Sequence, residues 1–332
     1  MKTRKFLSGI LTHCYQNTVN GFLLFYSISD HLVYFTNFCV YALRYGIRVL
    51  SLCQMTDHIH CGIIASSAED LSDFIRDVSV AYAKSDAMRC HRTGSLFNRS
   101  FGSAPKPGSK KGRTNLIYIG NNPVERQLCS NALDYRWNYL AYGRSDHPFS
   151  ERLVVRDASW ALKKALKEVR DEHRRLQPLS YPLLQRLFRG LGQKERYQLI
   201  DYIITTYSVI DYDYASRFFD GFEQMIKAME FNTGSEYDIN EVSVGRSDAC
   251  YAQITKWLMQ KLNLNDIHDI FSLPISERTD LLMEMNREMG VNLRQLAKYL
   301  RFEIKDGKDG EAGDFAPGEV VILDKESEVT QA

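Results

Sequence analysis

The first 101 residues of this 332-residue chain alternate between short strand-like runs and longer helical runs, and this order constrains the fold more than any other feature. Runs rich in β-branched and aromatic residues predict strands, whereas apolar residues recurring every three to four positions predict helices. Strands are predicted at 7–16, 47–54, 58–64 and 94–101, and helices at 29–45 and 70–88. The order β-α-β-β-α-β is typical of a ferredoxin-like antiparallel sheet with its helices on one face, which predicts an α+β fold.

The chain beyond residue 150 has helical periodicity almost throughout. Helices are predicted at 159–176, 182–189, 194–207, 214–231, 249–262 and 276–289, with short Gly, Pro and Asn breaks between them. We therefore expect an α+β domain at 1–150, a helical accessory domain at 151–304, and an acidic, glycine-containing, flexible tail at 305–332. The helix at 159–176 mixes basic and acidic residues and is interpreted as a solvated face with modest DNA-binding potential.

Two segments near the end of the helical part, 279–289 and 290–297, are similar to the first two helices of a helix-turn-helix. A Gly-rich acidic tail follows them where a recognition helix would stand. A DNA-reading domain and a plain helical packing domain are therefore equally good interpretations.

Composition narrows the class of protein. A hydrophobic content of 44% and a charged content of 25% are ordinary for a globular protein. The chain has no apolar run of about 18 residues, and residues 1–10 lack the apolar stretch of a secretory signal. We therefore expect a cytoplasmic protein with no membrane contact. The seven cysteines are scattered and form no C-x-x-C pair, which predicts free thiols and no cysteine zinc site.

A strongly basic stretch runs from Lys84 to Arg126. It holds nine Lys and Arg residues and only two acids, a local charge of +7 in a chain whose net charge is +1. A solvated surface and a polyanion contact both explain such a run. Within it, residues 102–113 predict a mobile basic loop. A helix containing Tyr118 follows, and it should end or kink near Asn122 because Pro123 has no amide hydrogen.

His58 and His60 stand two residues apart in a predicted strand. Side chains at positions i and i+2 of a strand point to the same face, so the two imidazoles are presented together. For a bare His-x-His, a hydrogen-bonded pair on a sheet surface is the more common arrangement. A metal site requires a third protein ligand and open positions for substrate.

Tyr118 and Asn122 stand four residues apart on the predicted helix and therefore share one face. If that face covers the histidine strand, Asn122 can offer a carbonyl oxygen to a metal while Tyr118 points at a bound phosphate. Such a mixture of imidazole and oxygen ligands suits Mg²⁺ or Mn²⁺ acting as a Lewis acid.

Four segments stand in a fixed order: MTDHIH at 55–60, GSLFNRSF at 94–101, YIGNNPV at 118–124 and YRW at 135–137. Together they resemble the single-tyrosine HUH transposases, especially the group associated with repetitive extragenic palindromes. The resemblance covers about residues 6–145. Gly120 and Asp57 depart from it, because many members have histidine and asparagine at these positions.

The resemblance implies that Tyr118 is the nucleophile and that His58, His60 and Asn122 hold Mg²⁺ or Mn²⁺. Tyr118 then attacks single-stranded DNA, forming a 5′-phosphotyrosine and a free 3′ hydroxyl, and rejoining reverses this step with another DNA end. Because the covalent link conserves the bond energy, no nucleotide cofactor is required, and no G-x-x-x-x-G-K-(S/T) motif occurs.

The same resemblance implies a DNA partner. Five basic residues are expected to line the path of the DNA backbone: Arg99, Lys106, Lys110, Lys111 and Arg113. Single-stranded DNA with hairpin or palindromic ends is the expected substrate, which would place the bound protein on the nucleoid. Both a monomer and a homodimer with exchanged tyrosine helices are compatible with the resemblance.

Two other functions remain open at this point. One is a domesticated DNA-binding protein that keeps the fold without turnover. The other is a metal hydrolase that uses activated water and leaves no protein attached to its products.

Overall fold

A four-stranded antiparallel sheet organises the amino-terminal part of the molecule. The structure is a computed structural model that describes residues 5–98, 100–231, 247–302, 304–305 and 321–322. The strands are β1 (Thr12–Asn17), β2 (Arg48–Gln54), β3 (His58–Ile64) and β4 (Gly102–Pro105), in the order β2-β3-β1-β4. Helices α1 (Ile28–Arg44) and α2 (Ala68–Arg89) occupy the two crossovers. The α+β class and the ferredoxin-like order β-α-β-β-α-β are confirmed.

Both crossover helices begin at serine caps. The Ser27 side chain accepts from the amide of Asp30, whose carboxylate accepts from the amide of Ser27, and the pair forms a capping box. Ser67 caps α2 through the amide of Asp70. The apolar faces of α1 and α2 bury the inward residues of the sheet, such as Cys14, in the largest hydrophobic core.

The opposite face of the sheet is covered by α3 (Ser109–Glu125). The two elements approach closely at Gly62 of β3. A Cβ there would lie 2.6 Å from Oγ of Ser51 and 3.4 Å from Cδ1 of Ile119, so a larger residue would force the Ser51 side chain to shift, while Ile119 of α3 is already in van der Waals contact. The sheet therefore lies between two helical layers, with α1 and α2 on one face and α3 on the other.

The fourth strand lies later in the sequence than predicted. Residues 94–101 form no strand among the described positions, apart from one bridge between Phe97 and Thr18. Leu96 and Phe97 are both buried, whereas consecutive strand residues point to opposite faces. Residues 102–105 pair with β1 in their place, with Thr12 opposite Pro105.

The expected mobile loop at 102–113 is likewise wrong. Its first part is β4, and α3 begins at Ser109. The amide of Lys106 donates to the carbonyl of Leu11 at 2.7 Å, which continues the pairing with β1 past the end of the strand. Pairing with a neighbouring strand overrides the local turn-forming composition of Gly, Pro and Ser.

The predicted end of α3 at Asn122 is wrong, and the alternative, a kink at this point, stays a prediction. The helix continues to Glu125, because a proline removes only one amide donor and the carbonyl of Asn122 still accepts from the amide of Arg126 at 3.1 Å.

Eight helices follow in the described part of the chain. They are α4 (Trp160–Arg174), α5 (Tyr181–Phe188), α6 (Gln193–Tyr207), α7 (Tyr212–Ser216), α8 (Phe222–Phe231), α9 (Cys250–Lys261), α10 (Ile275–Met289) and α11 (Leu293–Leu300). The single helix predicted at 214–231 is broken into α7 and α8, because Asp220 and Gly221 have positive φ angles of 54° and 117°. Six 3₁₀ turns occur in the residues that the structure describes, at Val19–Gly21, Ala132–Asp134, Arg136–Asn138, Leu140–Gly143, Val155–Asp157 and Ile267–Ser272. A two-stranded pair joins β5 (Ile304–Lys305) to β6 (Val321–Ile322).

The later helices pack directly on the α+β part. Helices α4 to α6 extend the core behind α1. Helix α11 packs its apolar face against Leu23 and Tyr26 in a second core, and the Tyr26 hydroxyl donates to the carbonyl of Tyr299 at 2.8 Å. The two helices predicted to resemble a helix-turn-helix are α10 and α11, joined at Gly290; among the described residues no further helix follows them.

The seven cysteines all lie within the described residues and form no disulfide with one another. No helix in the described part of the chain is both long enough and apolar enough to span a membrane.

Candidate active site

Four aromatic or imidazole side chains project from the sheet toward α3. His13 and Tyr15 alternate along β1, and His58 and His60 alternate along β3. Tyr15 pairs with His60 across the two strands, while His13 stands opposite Gly62. The period of two in each strand thus collects these rings on the face opposite α1 and α2.

Helix α3 adds three side chains to the same face. Asn115, Tyr118 and Asn122 are spaced by three and four residues and are therefore aligned along one side of the helix. All three are nearly inaccessible to solvent. The predicted arrangement, in which the tyrosine helix covers the histidine strand, is present in the structure.

A chain of polar contacts connects α3 to both strands. The Nδ2 atom of Asn115 lies 2.9 Å from Nδ1 of His13, and Nε2 of His13 lies 2.9 Å from Nδ1 of His60. The other nitrogen of His60, Nε2, lies 3.2 Å from Nδ2 of Asn122. His60 is thus held on one edge by a residue of β1 and faces Asn122 on the other.

His58 is held by its neighbour Asp57. Nδ1 of His58 lies 2.6 Å from Oδ1 of Asp57, and Nζ of Lys298 on α11 lies 3.6 Å from the other carboxylate oxygen. Burial opposes ionisation of Asp57, but the charges of His58, Lys298 and Arg126 outweigh it and hold the pKa of this carboxyl well below its usual range. Asp57 is therefore an anion that orients the ring of His58.

The Tyr118 ring lies between two histidines of its own chain. Its centroid is 5.5 Å from that of His60 and 5.6 Å from that of His13. The rings of His58 and His60 are 4.8 Å apart. The tyrosine helix and the histidine pair of one chain thus lie against each other.

Burial keeps the inner histidines neutral. Desolvation, followed by the charge of Lys106, lowers the pKa of His13 to about 3, and burial holds the pKa of His60 well below its usual range. A neutral imidazole is the form that binds a metal, because the ligating nitrogen must carry a lone pair.

The residues present fit a divalent metal. Nδ1 of His58 and Nδ1 of His60 are both engaged by orienting partners, which directs ligation to the two Nε2 atoms, as in many metal sites. Asn122 would supply an amide oxygen after exchange of its oxygen and nitrogen positions, which are assigned from the hydrogen-bond pattern. No cluster of three His, Cys, Asp or Glu occurs within the described ranges, so the third ligand would be this amide.

The predicted basic residues are distributed unevenly around this site. Lys110, Lys111 and Arg113 are exposed on the first turns of α3, and the guanidinium of Arg113 lies 5.2 Å from the ring of Phe219. Lys106 is buried and only 2% exposed, so its side chain is part of the interior near His13. Arg99 lies outside the described residues. DNA contact by these residues stays a prediction.

Sequence reasoning overlooked several residues of this site. His13 could have been found from its position two residues before Tyr15 in a predicted strand, and Asn115 from its position three residues before Tyr118. Asp248 had no sequence signal. Its carboxylate accepts from the Thr56 hydroxyl at 2.8 Å and its amide donates to the carbonyl of Arg126.

The packing of α8 explains why a glycine stands at position 120. Gly120 lies on the side of α3 away from the sheet, where α8 covers the helix. A Cβ at Gly120 would lie 2.7 Å from Sδ of Met229, and Nδ2 of Asn121 donates to the carbonyl of Met229 at 2.7 Å. Helix α3 is therefore held between the sheet and α8, which fixes the position of Tyr118.

No protein-family model matches the chain, and no curated protein matches it significantly. Among solved structures, one of a REP-associated tyrosine transposase bound to a REP hairpin is similar at 15% sequence identity and a TM-score of 0.38. The match covers 48% of this chain and 94% of that chain. A likeness this distant carries no weight for function.

Proposed function

We propose that this chain cleaves and rejoins single-stranded DNA through a covalent bond between Tyr118 and a 5′ phosphate. The observation that carries the proposal is the placement of the Tyr118 ring 5.5 Å from that of His60, on a helix whose Asn122 faces the same histidine. In this proposal a nucleophile stands beside side chains that would hold a metal, an arrangement that suits metal-assisted phosphodiester transfer.

The covalent step conserves the number of phosphodiester bonds. The Tyr118 oxygen attacks the phosphorus, the bond from phosphorus to the 3′ oxygen breaks, and that oxygen leaves as a hydroxyl after gaining a proton. The phenol proton passes to water, because His13, with a pKa of about 3, is a poor base at neutral pH. Rejoining is the reverse reaction with another 3′ hydroxyl, which explains how strands are exchanged without an energy source.

A divalent metal, Mg²⁺ or Mn²⁺, held by His58, His60 and Asn122 would supply Lewis-acid polarisation of the phosphate. A phenol has a reference pKa of about 10 and is a weak nucleophile at pH 7 without such assistance. The chain's own residues orient these ligands: Asp57 holds His58, and His13 holds His60.

The test is an adduct assay with single-stranded oligonucleotides carrying either a 5′ or a 3′ label, in Mg²⁺ or Mn²⁺. We expect the 3′-labelled fragment to remain bound to the protein on a denaturing gel, and the 5′-labelled fragment to be released with a 3′ hydroxyl. Tyr118→Phe should abolish the adduct.

Tyr15→Phe is the matched control, because Tyr15 lies on the same face with its ring 6.4 Å from that of His60. It should leave the adduct in place. Metal-dependent cleavage without an adduct would identify a hydrolase that uses water, and binding without cleavage would identify a DNA-binding protein. Either result would overturn the proposal.

A further inference from the structure

An exposed aromatic residue begins the basic helix α4. The side chain of Trp160 is 76% exposed, and two neighbouring valines, Val154 and Val155, are 44% and 53% exposed. The ammonium of Lys164 lies 5.4 Å from the centre of the Trp160 ring. An indole exposed to this extent loses the benefit of burial, so its contact with another molecule would be favourable.

Basic residues continue from Trp160 along the same side of the helix. Apart from the adjacent Lys163 and Lys164, they occur at intervals of three or four positions, which aligns them on one face for about 21 Å, given a rise of about 1.5 Å per residue. We call Trp160 and these residues the α4 face, and all of them are exposed: Trp160, Lys163, Lys164, Lys167, Arg170 and Arg174.

The acids of α4 are less exposed than its bases, and each is already paired. Glu168 pairs with Arg186, and Glu172 accepts from Arg175 at 2.8 Å; both arginines lie outside the helix. Asp171 is shared between Lys167 and Arg174 at 3.8 and 3.7 Å. The outward surface therefore has an excess of positive charge that the mixed sequence of this helix conceals.

The α4 face is remote from Tyr118. Helix α4 packs on α5 and α6, which pack on α1, whereas Tyr118 lies on the other side of the sheet. Two helical layers, α5 with α6 and then α1, therefore separate this surface from the sheet. The axes of packed helices are about 8–10 Å apart. A ligand on the α4 face is thus bound independently of the reacting phosphate.

We propose that the α4 face is a second binding site for single-stranded nucleic acid, in which Trp160 stacks on an unpaired base and the line of Lys and Arg residues binds phosphates. An aromatic platform beside a basic track is the usual combination for such strands. The identity of the strand as DNA rests on the proposed function, and the α4 face would then hold a segment distant from the cleavage point.

The experiment measures binding of a fluorescein-labelled thymidine oligonucleotide of about 20 nucleotides by fluorescence anisotropy, without metal so that no cleavage occurs. We expect the tryptophan fluorescence of the wild type to be quenched on binding, and the anisotropy to give a dissociation constant about tenfold higher for Trp160→Leu, the loss typical of one stacked base. Trp257→Leu is the matched control: Trp257 also lies beside a lysine, Lys261, but donates to the acidic Glu288. This control should keep wild-type affinity.

Salt dependence tests the phosphate contacts. Lys163→Ala/Arg170→Ala should lower the slope of log affinity against log salt by about 1.4, or 0.7 for each lost contact with a single strand. Lys256→Ala/Arg287→Ala removes two exposed charges from α9 and α10 and should leave the slope unchanged. Unchanged affinity for Trp160→Leu, or equal affinity of the wild type for duplex and single strand, would overturn the proposal.

The two proposals fail separately. Tyr118→Phe should retain the fluorescence response of the α4 face, and Trp160→Leu should form the adduct on a saturating short oligonucleotide at the wild-type rate. Absence of an adduct together with Trp160-dependent binding would overturn the proposed chemistry alone. An intact adduct with unchanged binding by Trp160→Leu would overturn the α4 site alone.

Discussion

Nε2 of His13 lies 2.9 Å from Nδ1 of His60, so a residue of the first strand sets the protonation pattern of a histidine of the third. For His60 to bind a metal through Nε2, its proton must lie on Nδ1 and be donated to His13. The proton of His13 then lies on Nδ1 and is donated to the amide oxygen of Asn115, after exchange of the oxygen and nitrogen positions of that amide. Asn115, His13 and His60 therefore act as one orienting chain.

His13→Ala should weaken Mn²⁺ binding about 10- to 100-fold, the usual cost of removing an orienting partner of a histidine ligand. His13→Gln should restore part of the affinity, because its amide oxygen can accept from Nδ1 of His60. Isothermal titration calorimetry measures both. His91→Ala, an exposed histidine, is the control, and an equal affinity of His13→Ala and His91→Ala would contradict this role.

Asp86 of α2 holds two arginines in the interior. It accepts from Nε of Arg92 at 2.6 Å and from the guanidinium of Arg301 at 2.8 and 3.1 Å, and thereby fastens the end of α11 to α2. Asp86→Ala leaves buried positive charge without its counterion and should lower the free energy of unfolding by about 3–5 kcal/mol.

Urea denaturation measures this loss against Asp73→Ala, which removes the exposed ion pair with Arg76 and should cost about 1 kcal/mol or less. Similar losses in the two variants would show that the interior pair contributes no more than a surface pair.

His31 should make the fold sensitive to acid. Its ring is stacked between Phe25 and Trp137, with centroids 4.2 and 4.0 Å away, and its Nδ1 donates to Oε1 of Gln54 at 2.8 Å. Burial lowers the pKa of His31 to about 3, so the unfolded chain takes up a proton below pH 6.5 while the folded chain does not. The contribution of neutral His31 to the free energy of unfolding is therefore fully present above pH 6.5 and is lost as the pH falls from 6.5 to 3.

At pH 5 proton uptake by the unfolded chain should lower the free energy of unfolding by about 1–2 kcal/mol relative to pH 7.5. His31→Gln should be less stable at pH 7.5, because it loses the stacking, but its stability should fall less steeply with acid. Urea unfolding at pH 7.5, 6 and 5 gives both slopes, and parallel curves would contradict the assignment to His31.

The effects of substitutions at Gly120 and Met229 on the free energy of unfolding should be coupled, because side chains at the two positions share one space. Gly120→Leu places a side chain where Met229 now lies, and overpacking should cost about 1–3 kcal/mol despite the better helix propensity of leucine. Met229→Ala should cost about 2–5 kcal/mol by leaving a cavity.

The double variant should be more stable than the sum of the two losses predicts, because each change relieves the other. Thermal or urea unfolding of the four proteins measures the coupling. Additive losses would show that α8 does not fit against α3 at this point.

Local periodicity predicted much of the fold and the centre of the site. A period of two put His58 and His60 on one face of β3, and a separation of four aligned Tyr118 with Asn122 on α3. Helices α1 and α2 and strands β2 and β3 were located to within a few residues, whereas β1 begins later than predicted and the helix predicted at 214–231 is broken in two. These features depend on the geometry of single elements, so neighbours in sequence are sufficient to define them.

Only the tertiary structure decided which strand completes the sheet and which residues support the site. The composition of residues 102–113 favours a loop, but pairing with β1 makes a strand of 102–105 and encloses Lys106. His13 meets His60 across 47 positions, and Asp248 meets Thr56 across 192. Such contacts follow from how separate elements pack, which the periodicity of any one segment does not encode. The sequence by itself thus determined the chemical groups and their faces, while packing determined their partners.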